Sequence, residues 1–190
     1  MPVLSVLSVL TEITLMAELS EPLRQFVLHW GEMGTRWGVN RTVAQVHALL
    51  FVSEEPLTAE AIAETLSVAR SNVSVSLREL QAWGLVRVVH LMGDRRDHFQ
   101  TIKDVWEMFQ IILEGRKRRE VDPTLAVLRE LMAEPRAAGL GEHARQRLTE
   151  LLAFFEMMTG WYEQVRRMPR STLTRFIKLG GRVARLLEGA

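Results

Sequence analysis

Apolar residues recur at helical spacing along most of this chain, and the period shifts to that of strands in one region. Leu23, Phe26, Val27 and Trp30 fall on one face of a helix that follows Ser20, a candidate N-cap, with Pro22 in its first turn. Gly31, Gly34 and Gly38 predict an irregular connection after it. Asn40 predicts the cap of a second helix whose inward stripe is Val43, Val46, His47, Leu50 and Phe51. Past Pro56, Thr58 opens a third helix with Ala61 at its N3 position. Ile62, Leu66 and the small Ala59 and Ala63 give that helix a close-packing face. A break at Ser67 and Val68 precedes a fourth helix over residues 69–83, anchored by Val73, Leu77 and Leu80 and stopped by Gly84.

From residue 85 the pattern is β-rich. Residues 85–92, with Val86, Val88 and Val89, and residues 98–102 predict two short strands joined by the charged turn 93–97. Asp104 predicts the cap of a long helix to about residue 120, ending in the basic run Arg116, Lys117, Arg118 and Arg119. Asp122 and Pro123 start another helix, which residues 135–141 break. Residues 142–168 then carry a seam of Leu148, Leu151, Leu152, Phe155, Tyr162 and Val165. Pro169 ends that helix, and Ser171 caps a last one through residue 187. At the other end, residues 1–19 are apolar but interrupted by Thr11, Glu12, Thr14 and Glu18. They lack the basic start and small-residue cleavage site of a secretory signal and predict a packing or frayed helix.

Helix, short break, helix and a hairpin with a charged tip is the order of a winged helix-turn-helix. The fourth helix keeps one face apolar and leaves Arg70, Ser71, Asn72, Ser74, Val75 and Arg78 to face outward. Short polar side chains let such a helix sink into a major groove, where Asn pairs with an adenine edge and Arg with a guanine edge. Arg70, Asn72 and Ser74 are the base-edge candidates, Val75 can meet a thymine methyl, and Ser71 and Arg78 suit phosphate. In the hairpin turn, Arg95 and Arg96 can reach backbone or a narrow minor groove, with Asp94 and Asp97 to brace their guanidinium groups. A solvated helix and a charged turn are the ordinary readings of each piece alone; neither accounts for their company in this order.

Net charge is only +1, so no general polycation advertises nucleic acid. Between Leu66 and Lys103, however, six basic residues stand against three acidic ones. The chain has no cysteine, which excludes disulfides, thiolate nucleophiles and cysteine-held metal and fits a cytoplasmic protein. His29, His47, His90, His98 and His143 show no paired spacing on one helix, so no metal or other cofactor is expected, and His47 reads as a partly buried packing residue. No glycine-rich phosphate loop follows a strand and no Ser/His/Asp set has a catalytic context, so an enzyme is not expected. No stretch is long and apolar enough for a membrane span.

The stretch from Trp37, Gly38, Val39, Asn40, Arg41 and Thr42 to Gly93, Asp94, Arg95, Arg96, Asp97, His98 and Phe99 resembles the MarR-type regulators, and within them the GbsR-like branch. Residues 48–51, 56–58, 71–74 and 80–86 and the arginine-bearing turn carry the resemblance, which covers about the first two-thirds of the chain. It implies a mainly α fold: a winged helix-turn-helix DNA-binding domain over residues 37–103, between N-terminal helices over 1–36 and a helical region over 104–190. The flanking helices would form a homodimer, and the last region could also sense an effector. Such a protein reads a pseudo-palindrome in double-stranded DNA and often represses a nearby operon until a small molecule relieves it. One departure is Ala69, where many such helices begin with Ser or Thr; Ser67 is the alternative cap. Some relatives sense a quaternary ammonium, for which Trp30, Trp37, Trp106 and Phe109, with Trp161 and Tyr162, are candidate cage residues, although packing is the commoner use of such rings. The competing function is a winged-helix protein–protein module without DNA binding.

Overall fold

The computed structural model describes residues 19–133 and 139–187, with side chains as far as residue 179. The helix expected over residues 1–19 and most of the break at 135–141 lie outside the described residues. The chain divides into two compact units after Ile112.

In the first unit, helix α1 (Glu21–Arg36) runs on through Gly31 and Gly34, where the glycines predicted an irregular connection. The reason is close packing. A Cβ on Gly34 would lie 2.5 Å from Ala44 Cβ, and one on Gly31 would lie 2.7 Å from Gln45 Cγ. Both glycines thus let α1 press against α2 (Arg41–Val52), while Gly38, at φ +75°, turns the chain between them. Gly34→Ala sets about 1 kcal/mol of helix propensity against about 1–3 kcal/mol of overpacking. The atom met is a Cβ that cannot swing aside, so the clash wins. We expect a net loss of about 1 kcal/mol, seen as a lower Tm; a raised Tm would show that the helices can separate at no cost.

Asn40 caps α2 as expected, its Oδ1 accepting from the Thr42 N–H at 2.8 Å. Every residue from Val43 to Leu50 is buried, so α2 is a central helix rather than an amphipathic one. His47 is among them, 4% exposed, and among the described residues its Nε2 has no hydrogen-bond partner. Burial pushes its pKa down to about 4.

Thr58 Oγ1 accepts from the Ala61 N–H at 3.2 Å and opens α3 (Ala59–Leu66). At its end Ser67 takes a left-handed φ of 52°, and the Ser67 and Val68 N–H groups donate back to Glu64 and Ala63. Ser67 therefore closes α3, and α4 (Arg70–Ala82) starts from Ala69 with no side-chain cap. Gly84, at φ +79°, ends α4, with Leu85 N donating to Leu80 O and Gly84 N to Gln81 O, each at 2.9 Å.

The sheet has three antiparallel strands, not two. β1 (Leu57–Thr58) and β2 (Val86–Val89) flank β3 (His98–Thr101), pairing Leu57 with Phe99 and Val89 with His98. Two residues of β1 are too few for alternation to reveal. Strand β2 stops at Val89, short of residue 92, because beyond that pair residues 90–97 form the tip. The core under the sheet is Val43, Val46, Leu49, Leu50, Ile62, Val73, Leu77, Leu80, Leu85, Val86, Phe99 and Met108.

Lys103, just after the hairpin, donates from Nζ to the carbonyls of Leu50 at 2.9 Å, Phe51 at 3.0 Å and Ser53. These are end-of-helix acceptors of α2 that would otherwise need water. Burial lowers the Lys103 pKa. Lys103→Met keeps the stem and removes the bonds; urea denaturation should show a loss of about 1–2 kcal/mol. An unchanged midpoint would mean that water serves those carbonyls equally well.

Helix α5 (Val105–Arg116) is capped by Asp104, whose Oδ1 accepts from Trp106 N at 2.8 Å and Glu107 N at 3.0 Å. The helix does not stop before Pro123. It passes through a π-helical turn (Lys117–Val121) into α6 (Asp122–Met132). Pro123 has no N–H and its ring would clash with the carbonyl four residues back, and the wider turn accommodates both. In the second unit follow α7 (Glu142–Arg166) and α8 (Arg170–Leu187), which begins one residue before the predicted cap Ser171. No residue of α7 is buried. Leu148, Leu152, Phe155, Tyr162 and Val165 are half-buried, while Leu151 joins Phe154, Met157, Met158 and Trp161 among the exposed apolar residues. Among the described residues no helix is long and apolar enough to cross a membrane.

Candidate nucleic-acid interface

Val73, Ser76, Leu77 and Leu80 fix α4 in the core and decide which residues face water. All six predicted outward residues, Arg70, Ser71, Asn72, Ser74, Val75 and Arg78, are exposed. At about 100° per residue, Ser71, Ser74 and Arg78 lie along the middle of that face, with Arg70 and Asn72 on opposite flanks. Val75 is 53% exposed, an aliphatic side chain left in solvent where a thymine methyl would suit it.

The cations differ in how they are held. Arg70 pairs with Glu60 of α3, Nη2 to Oε1, at 2.5 Å. Arg87 donates across the sheet to Gln100 Oε1 at 3.3 Å, and Lys103 is taken up by α2. Among the described residues neither Arg78 nor Arg95 has a hydrogen-bond or ion-pair partner.

The tip of the hairpin is ordered by its own charges. The Arg96 backbone N–H donates to Asp94 Oδ1 at 2.9 Å, and its guanidinium reaches the same carboxylate through Nε at 3.0 Å and Nη2 at 2.5 Å. The Arg96 hydrogen bonds hold the Asp94 carboxyl well below the usual carboxylate range. His98 lies beneath, buried, with Nδ1 3.0 Å from the Arg96 carbonyl and Nε2 3.6 Å from Asp94 Oδ2. Asp94 thus meets Arg96 as predicted. Asp97 lies 3.9 Å from His90, and among the described residues no arginine is paired with it. Among the described residues Arg95 is the tip cation without a partner.

Trp30 lies against Phe26 of its own helix, ring centroids 5.5 Å apart. Trp37 and Phe109 are 59% and 50% exposed, and Trp106 is half-buried. In the predicted basic run, Arg116 pairs with Glu120 at 3.2 Å, Lys117 with Asp122 at 2.8 Å and Arg118 with Glu114 at 3.7 Å. Glu114 also accepts from Tyr162 and Arg166, each at 3.2 Å. The run is therefore largely neutralised by carboxylates around it. Sequence reasoning missed the contacts that Glu60, His98 and Lys103 make around the helix-turn-helix and the hairpin. Only the Asp-x-Arg spacing of the tip was legible, because the other contacts join residues far apart in the chain.

A helix-turn-helix whose second helix is bare, short-chained and polar, followed by a hairpin with an unpaired arginine at its tip, defines a winged helix-turn-helix protein. Residues 37–97 match the MarR family. The HTH-type transcriptional repressor GbsR of Bacillus subtilis (strain 168) is 21% identical over 142 residues, covering 73% of this chain and 78% of that protein. The crystal structure of a transcriptional regulator shares the fold, with a TM-score of 0.59 at 19% identity over 83% of this chain and 99% of that one. A looser likeness, TM-score 0.36 at 17% identity, is to a MepR mutant of S. aureus bound to an oligodeoxyribonucleotide; it covers 81% of this chain and 96% of that one. Residues 37–97 thus carry a MarR-type winged helix-turn-helix, and the chain is similar in sequence to the repressor GbsR.

Proposed function

We propose that this regulator is a cytoplasmic homodimer that reads a pseudo-palindromic duplex and represses a nearby operon until a small molecule relieves it. Two copies of α4 would enter successive major grooves about 34 Å apart, with Asn72, Ser74 and Arg70 at base edges and Ser71 and Arg78 at phosphate. Arg95 would reach the minor groove or backbone, and Arg96 would hold the tip in shape. The observation that carries this reading is the exposed polar face of α4 with its unpaired Arg78, coupled to an unpaired Arg95 at the hairpin tip.

What supports the dimer is the set of large apolar residues that α7 leaves exposed, Leu151, Phe154, Met157, Met158 and Trp161, of the kind that marks an interaction surface. In this reading residues 37–103 read DNA, 1–36 pack or pair, and 104–190 pair and can sense an effector. Trp30, Trp37, Trp106 and Phe109 remain the candidate effector residues. The repressor sense rests on the likeness to GbsR.

Fluorescence anisotropy against DNA from upstream of its own gene, beside a scrambled duplex and across a salt series, tests the reading. Tight, sequence-dependent binding that falls steeply with salt is expected. No binding to either duplex at low salt would favour the protein-interaction module instead.

A further inference from the structure

Helix α3 does more at the interface than support α4. Its Glu60 carboxylate holds the Arg70 guanidinium at 2.5 Å, and both side chains stay in solvent, 41% and 69% exposed. An ordinary surface ion pair contributes little to stability. This one, however, joins the two helices of the motif where α4 begins, and a recognition helix meets base edges with its N-terminal residues. The contact is made through Nη2, so a two-pronged edge of the guanidinium can still face a guanine O6 and N7.

The pair has a second consequence. If Arg70 swung to a phosphate it would leave Glu60, and a bare carboxylate would then stand beside the polyanion. Reading a base edge keeps the pair together. The same carboxylate therefore favours one use of the arginine and opposes the other, which is how a repulsive element creates specificity. We propose that Glu60 is a positioning residue for sequence discrimination: it aims Arg70 at a base edge and suppresses sequence-independent attachment of that arginine to phosphate. The proposal rests on the DNA-reading role given above.

The test starts from a duplex selected by the wild-type protein from a randomised library, compared with a scrambled duplex. Affinities for both are measured for wild type, Glu60→Gln, Arg70→Ala and the double variant, each checked for an unchanged Tm. Glu60→Gln is expected to tighten scrambled binding roughly threefold to fivefold and to weaken binding to the selected duplex, where Arg70 loses its aim, so preference falls by at least that factor. In the Arg70→Ala background the same substitution should leave preference as it was. Unchanged preference in Glu60→Gln overturns the proposal, as does an equal fall with and without Arg70, and either result leaves the regulator reading standing. If the wild type enriches no sequence, the regulator reading itself fails and the role of Glu60 falls with it.

Discussion

With His47 replaced by phenylalanine, the protein is expected to keep its stability as pH falls from about 6.5 to about 4, the interval in which the wild type should weaken. The imidazole is buried with an unpartnered Nε2, and its folded pKa is pushed down to about 4 from an ordinary 6.5. The folded pKa is the lower one, so between the two values the unfolded chain binds the proton more readily. Stability is therefore complete above about 6.5 and is lost progressively down to about 4, after which no more is lost through this group. The interval corresponds to about 3 kcal/mol. Denaturation of both proteins across this range measures it as the difference between two curves, so carboxylates common to both cancel. Parallel curves would mean that the protonated ring finds an acceptor inside the fold.

The second large effect separates two kinds of contact. Asn72→Ala is expected to cost about 1–3 kcal/mol on a selected duplex, and almost nothing on a scrambled one. Arg95→Ala should weaken both duplexes alike and reduce the slope of log affinity against log salt by about 1. The difference follows from their surroundings: Asn72 is on the face of a helix held rigidly by Val73 and Leu77, whereas Arg95 is a solvated cation on a hairpin tip. If Asn72→Ala weakened both duplexes equally, its place would be on the backbone instead. An unchanged salt slope in Arg95→Ala would remove the wing from the contact.

The local structure around both residues was legible because it depends on near neighbours in the chain. The outward face of α4 follows from the spacing of Val73, Leu77 and Leu80, and the Asp94–Arg96 brace from a separation of two residues. The caps at Asn40, Thr58 and Asp104 were likewise written in single residues next to apolar runs. What could not be read was set by partners distant in the chain. Gly31 and Gly34 look like helix breakers until Gln45 and Ala44 are found against them. Lys103 looks like one more surface cation until α2 presents its carbonyls. Strand β1 exists because Leu57 and Thr58 find Phe99 and His98, not because two residues have a strand pattern. The π-turn is the converse case: Pro123 signals a helix start, and the structure absorbs it by widening the turn before it.

Strand β3 lies between the other two, so the hairpin is sewn into the domain at its base and not hung from its edge. Its tip, residues 90–97, lies beyond the paired residues, with the buried His98 beneath it 3.6 Å from Asp94. Length and charge there can change over evolutionary time without reopening the packing that holds α4. Eight residues outside the ladder can then vary while the sheet and α4 keep their places.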